Sequence, residues 1–240
     1  MNFARCALAA SLVLTFPLAH AQVTSKLKVG LMLPAAGTFA ALGAAIENGF
    51  RPYVAEQGGK LSGRKIEFVK VDDESDPSKA TDNVNKLIER DNVDVLVGTV
   101  HGGAALAMAK VAKESGTILI VPNAGADAVT GAMCGPNIFR GRFSNWQPGH
   151  AMGEVVAKKG HKNVVTMTWK YAAGDESVRG FKEAFEKGGG KVVKELSLPF
   201  PNVEFQALLT ESLLPSPTRC TPSSPAVVRS SSSRTTPRQA

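Results

Sequence analysis

The chain has 240 residues, enough for one or two domains, and its 43% hydrophobic and 20% charged content is that of an ordinary globular protein. The net charge of +7 is concentrated at the ends, where Arg5, Arg219, Arg229, Arg234 and Arg238 account for all but two of it. The basic balance therefore gives little support for a nucleic-acid-binding face, and no nucleic-acid partner is expected.

Residues 1–21 carry Arg5, an apolar run from Cys6 to Leu18 and the ending Ala19-His20-Ala21. A positive start, an apolar core and an A-x-A ending make a secretory signal peptide. The apolar run of 13 residues is shorter than the roughly 20 needed to span a bilayer. Its removal leaves Cys134 and Cys220, too few for a disulfide framework or a cysteine metal cluster. The expected location is periplasmic.

Residues 26–33 (KLKVGLML) read as a strand ending at Pro34. A small-residue loop (35–43) leads to a helix over 44–57, with Ile46, Phe50 and Val54 on one face. Residues 65–71 alternate as a strand, followed by the acidic turn 72–76 and a helix opened by Pro77 and running to Arg90. Residues 93–100 form an apolar strand, 102–115 an alanine-rich helix, and 117–121 a strand stopped by Pro122. The alternation then repeats, with helices over 145–159 and 176–187 and strands over 163–168 and 191–196. Such alternation predicts parallel sheets covered by helices on both faces, with ligands at the carboxyl ends of the strands. That rule singles out the segments after Leu33, Val100, Val121 and Thr168.

From Ser212 the composition changes: 21 of the last 29 residues are Ser, Pro, Thr or Arg, and none is Asp or Glu. Such a segment cannot bury enough apolar surface to fold, which fits a disordered linker or tail. We prefer a shift of reading frame. Codons rebuilt across the codon junctions from Glu211 onward admit the string IAAAVADAVYTFFAGGGAVKFVKDYAAA, which holds a strand, a glycine turn and an amphipathic helix. The organisation expected is a signal peptide (1–21), an N-terminal lobe (22–143), the start of a C-terminal lobe (144–211) and an out-of-frame disordered tail (212–240).

Enzyme signatures are missing. There is no G-x-S-x-G, H-E-x-x-H, P-loop lysine or C-x-x-C, and His101, His150 and His161 form no ligand-spaced cluster. Neither a catalytic residue, a metal nor a cofactor is expected. The segment VDVLVGTVHGGAALA offers a strand, a glycine turn and a helix, the geometry of a dinucleotide site. Gly98, Gly102 and Gly103 do not spell G-x-G-x-x-G, however, and no acidic ribose partner follows. The bare N–H groups of Gly102 and Gly103 at a helix start suit a ligand carboxylate instead, with His101 beside them as a polar contact.

Four stretches resemble the periplasmic leucine/isoleucine/valine-binding family of ABC importers: KVGLMLPAAGTFAALGAAIENGF, KLIERDNVDVLVGTVHGGAALAMAKVAKESGTILIVPNAGAD, IFRGRFSNWQPGHAMGEVVAKKG and WKYAAGDESVRGFKEAFEKGGGKVV. The resemblance implies the type I periplasmic binding protein fold: α/β, two Rossmann-like lobes with parallel sheets flanked by helices. By that resemblance the second lobe is expected to be incomplete over these residues. It also implies a monomer that closes on a small carboxylate and is then read by the membrane permease of an ABC importer.

Carried over residue by residue, the first loop offers Thr38 and Phe39. Gly102-Gly103 match the position whose backbone holds the ligand carboxylate. Asn123, Ala124 and Gly125 match the next loop, and Tyr171 matches the far-lobe tyrosine that covers the ligand. Members that bind amino acids usually place a hydroxyl residue where Gly125 stands, to accept from the α-ammonium, and a buried ammonium without partners is costly. With Phe39, Tyr171 and Trp146 also available, the pattern favours an aromatic carboxylate over branched-chain amino acids or amides. FSNWQ likewise resembles members that take aromatic acids. A DNA read without an insertion or deletion near Glu211 excludes the frame shift.

Overall fold

Strand β1 (Leu27–Met32) lies at the centre of the first sheet, and its residues are buried on both faces. A computed structural model describes residues 26–202, 204–213, 219–222 and 226–230. The signal-peptide reading of 1–21 and most of the tail 212–240 lie outside the described residues.

On either side of β1 run β2 (Lys60–Leu61), β3 (Arg64–Val71), β4 (Val95–Gly98), β5 (Ile118–Val121) and β6 (Ile138–Arg140), in the order β2-β3-β1-β4-β5-β6. All neighbours are parallel except the β2–β3 hairpin. Helix α1 (Ala40–Glu56) covers one face, packing Ile46 and Phe50 against Val29, Leu31, Leu33 and Val97. The other face is covered by α2 (Ala80–Asn85), whose end widens into a π-turn over Lys86–Arg90, and by α3 (Gly102–Ser115). Ala104, Ala105, Met108, Ala109 and Ala112 of α3 meet Met32, Leu96 and Leu119. The small side chains bring this helix close to the sheet. At the end of β4, Gly98 answers a close approach of β1, since a Cβ there would stand 2.1 Å from the Met32 carbonyl oxygen.

Helix α1 does not reach β5 and β6. Ile118 and Ile120 stand beside Val95 and Val97 in the parallel register, and Ile120 beside Phe139, yet all three are exposed.

Among the described residues the chain passes once into a second lobe, after β6. There α4 (Trp146–Lys158), β7 (Asn163–Lys170), α5 (Ala172–Lys187) and β8 (Lys191–Pro199) alternate, and α6 (Gln206–Leu213) follows. Strands β7 and β8 are parallel. Period-two alternation sends Val164 toward Val156, Phe181 and Phe185, and Val165 and Met167 toward Leu208 and Leu209 of α6.

The two-lobed α/β architecture read from the sequence is the one observed. Helix α3 begins and ends at the predicted residues, whereas α5 starts four residues early, at Ala172. Strands β2 and β6 were not anticipated, because two or three residues carry no readable period. At three places the tail departs from the expectation of a segment outside the fold, the first being Ser212 and Leu213, which close α6. Its β9 (Arg219–Pro222) and β10 (Ala226–Ser230) form an antiparallel pair, and β10 runs antiparallel to β7, giving the order β8-β7-β10-β9. The physical reason lies in β7, whose free edge presents a row of N–H and C=O groups to any extended segment.

Helices α4 and α5 touch backbone to backbone. A Cβ at Gly149 would stand 2.1 Å from the Ser177 carbonyl oxygen, one at Gly153 2.3 Å from that of Phe181, and one at Gly180 2.3 Å from that of Trp146. The nearest atoms are main chain, so they cannot rotate aside. Replacing Gly180 with Ala is therefore expected to cost about 1–3 kcal/mol by overpacking, read as a lower midpoint in urea with little change in slope.

Candidate ligand-binding cleft

The loops that follow β1, β3, β4 and β5 are tied together by one buried carboxylate. Asp73 is fully buried and accepts from the Thr99 hydroxyl and from the Ser75 N–H (2.9 Å). The Thr99 carbonyl accepts from Ala124 N–H (3.0 Å). Ser75 Oγ accepts from Phe39 N–H (3.1 Å) and donates to the Ala36 carbonyl (3.3 Å). Burial pushes the Asp73 carboxyl above its ordinary range, and the Thr99 and Ser75 hydrogen bonds oppose that rise.

His101 caps α3. Its Nδ1 accepts from Gly103 N–H at 3.0 Å, so the neutral ring carries its proton on Nε2. Burial lowers its pKa, since the charged form is desolvated and Asp76 compensates only in part.

Arg142 reaches back from the crossing segment. Its Nη1 donates to the Asn123 carbonyl (2.9 Å) and to Asn123 Oδ1 (3.3 Å), and burial lowers its pKa. At the end of the same segment, Asn145 N–H donates to the Gly125 carbonyl (2.7 Å), and its Nδ2 donates to Glu176 Oε2 (2.8 Å). The second oxygen of Glu176 accepts from Asp127 N–H (3.1 Å). Glu176, in the first turns of α5, thus brackets the first lobe and the crossing together. Its pKa is raised chiefly by burial, against the Asn145 bond.

Between the lobes, the Phe200 ring stacks on Phe39 (5.5 Å between centroids) and on Tyr171 (5.2 Å). It also meets His101 and Trp169 edge to face. A cleft of about 220 Å³ opens beside this stack, lined by Phe39, Asn123, Arg142, Asn145, Trp169 and Tyr171 together with Gly102 and Gly125.

A family model described as a periplasmic binding protein matches residues 26–212. The chain belongs to that family. Among solved periplasmic and solute-binding structures, an ABC-transporter solute-binding protein from R. palustris in complex with benzoate is 58% identical, with a TM-score of 0.76 over 78% of this chain and 52% of that one. Another, from Rhodopseudomonas palustris BisB5 in complex with 3,4-dihydroxybenzoic acid, is 35% identical, with a TM-score of 0.72 over 78% and 51%. A Leu/Ile/Val-binding protein, BraC3 of Rhizobium johnstonii, is 30% identical over 197 residues, covering 81% of this chain and 52% of that protein. The chain spans about half the length of the relatives it matches.

Within this periplasmic binding protein, Phe39, Gly102, Asn123, Gly125 and Tyr171 line the cleft. Thr38 and His101 line a neighbouring cavity of about 550 Å³, on the side where Phe200 and Pro201 stand. Two residues from the sequence reading occupy other roles. The Gly103 N–H is spent on His101, and Ala124 is fully buried with its N–H on Thr99. Trp146 donates its Nε1–H to Glu183 (2.7 Å) and packs on His150, away from the cleft.

The place of a side chain at Gly125 is filled. A Cβ there would stand 2.4 Å from Asn145 Oδ1, so the amide oxygen of Asn145 occupies that space. Arg142, Asn145, Trp169 and Phe200 went unremarked as site residues, although Arg142 and Asn145 stand within the FRGRFSNWQ stretch already singled out.

The lowered pKa of His101 has a readable consequence. Above the ordinary imidazole value of 6.5 the ring is neutral in both folded and unfolded chain. Below it the unfolded chain takes up the proton first, so stability falls with falling pH until the folded ring also titrates. Replacing His101 with Asn keeps a cap acceptor and removes the titration. Urea melts at pH 7.5 and 5.5 should show the wild type losing more stability than the variant.

Proposed function

We propose that this chain is the capturing part of a periplasmic solute-binding protein that takes a small aromatic carboxylate between its lobes and presents it to the membrane permease of an ABC importer. It acts as a monomer and does not turn its ligand over. The observation that carries the reading is Arg142. Its half-buried guanidinium lines a cleft walled by the rings of Phe39, Trp169 and Tyr171, and no acidic side chain pairs with it among the described residues. A cation taken out of water calls for an anion, and a ligand carboxylate is the partner that fits such a site. The rings supply the apolar walls for its body. Benzoate and dihydroxybenzoate in the related structures support the same class.

In this reading the carboxylate sits on Arg142, with Gly102 N–H at the start of α3 as a second donor, and Asn123 and Gly125 form the floor. Thr38 and His101 border the neighbouring cavity, Gly103 and Ala124 back the wall through their bonds to His101 and Thr99, and Tyr171 closes from the second lobe. Closure is stabilised to the extent that the ligand touches both lobes.

One observation favours a second reading, a branched-chain amino acid. Asn145 Oδ1 beside Gly125 is an acceptor for an ammonium, and the Leu/Ile/Val-binding relatives point the same way.

A thermal-shift series with benzoate, dihydroxybenzoate, leucine, isoleucine and valine separates the two. A ligand at a hundredfold excess over its Kd adds about 2.7 kcal/mol of stability. A shift with the aromatic acids alone is expected. A shift with the amino acids alone moves the assignment to the second reading, and a cooperative melt unmoved by all five overturns both. Replacing Arg142 with Gln should cost the aromatic acids about 1.5–3 kcal/mol, roughly ten- to a hundredfold in affinity.

A further inference from the structure

Two cavities meet at Tyr171, which lines both. The smaller, about 220 Å³, holds Arg142, and the larger, about 550 Å³, holds Thr38 and His101. Beside Tyr171 stands a stack of three rings, Phe39, Phe200 and Tyr171, with Phe200 in the middle. Its plane lies within 20° of Phe39 and 28° of Tyr171, while His101 and Trp169 present their rings at 62° and 89° to it. Phe39 and His101 come from the first lobe, and Trp169 and Tyr171 from the second. One half-buried ring, carried on the turn after β8, fills an aromatic box built by both lobes. Offset stacking and edge-to-face contacts of this kind are favourable beyond the area they bury, so the ring has reason to stay.

Phe200 lines the larger cavity and is absent from the walls of the smaller one. A ligand anchored at Arg142 therefore extends past Phe39, Trp169 and Tyr171 and meets the Phe200 stack at its far end. We infer that Phe200 is a specificity-determining partition. It limits the cleft to one-ring acids whose carboxylate is attached close to the ring, and its removal joins the two cavities and admits arylalkanoic acids with a longer chain. The inference rests on the reading above that the cleft binds aromatic carboxylates, and it adds which of them fit.

The experiment compares the full chain with F200A and F200L by calorimetric titration, using benzoate and 3-phenylpropanoate as probes. F200L retains apolar bulk but loses the planar stack, and it serves if F200A fails to melt cooperatively. The expected result is a wild type that prefers benzoate and variants in which the ratio of affinities moves toward 3-phenylpropanoate by at least about tenfold, which in free energy is about 1.4 kcal/mol. A stack that only held the lobes together would weaken both acids alike and leave the ratio unmoved. Benzoate binding with an unmoved ratio overturns the partition and leaves the capture reading standing. Binding of neither acid by any of the three proteins overturns the capture reading, and the partition with it.

Discussion

The buried carboxylate of Asp73 is the constraint on which the near wall of the cleft depends. A carboxylate withdrawn from water is costly unless donors meet it, and here the Thr99 hydroxyl and the Ser75 N–H do so. Each of those residues is committed a second time, Thr99 to Ala124 and Ser75 to Phe39 and Ala36. Moving any one loop would leave a buried polar group without a partner. The strand ends of the first lobe are therefore held as a unit.

The far wall is joined to this unit through very little chain. One covalent crossing links the lobes among the described residues, and Asn145 stands at its end with hydrogen bonds to both sides. Glu176 completes the bracket by reaching Asp127. Beyond it, α4 and α5 are locked by the glycine contacts, so the second lobe has little freedom to deform internally. The crossing and the Phe200 stack stand between the lobes.

The regular elements were legible in the sequence because each rests on local pattern. The alanine stripe and glycine start of α3, the alternation of β3 and the apolar run of β1 are properties of consecutive residues. The loops singled out by the strand-end rule are ones whose residues line the cleft. What could not be read were partners set by tertiary approach. Arg142 carries no local signal that separates it from Arg140, which instead donates to the Ala126 carbonyl. Phe200 sits in a turn, and the rings it meets stand 29 to 161 positions away. Gly125 leaves room for the Asn145 amide oxygen, which comes from twenty residues later in the chain. Trp146 looked like a pocket ring from composition, but its indole N–H found Glu183 on the next helix.

His101 carries a consequence for the kind of chemistry the cleft can host. A neutral imidazole has one lone pair in the ring plane, and here it is spent on the Gly103 N–H at the head of α3. To abstract a proton from a bound molecule, the ring would have to use that same pair and uncap the helix, and burial already disfavours the resulting cation. The histidine is held as a hydrogen-bond donor and is poorly placed to act as a base. In the cavity it lines, this side chain offers no ready path for proton transfer.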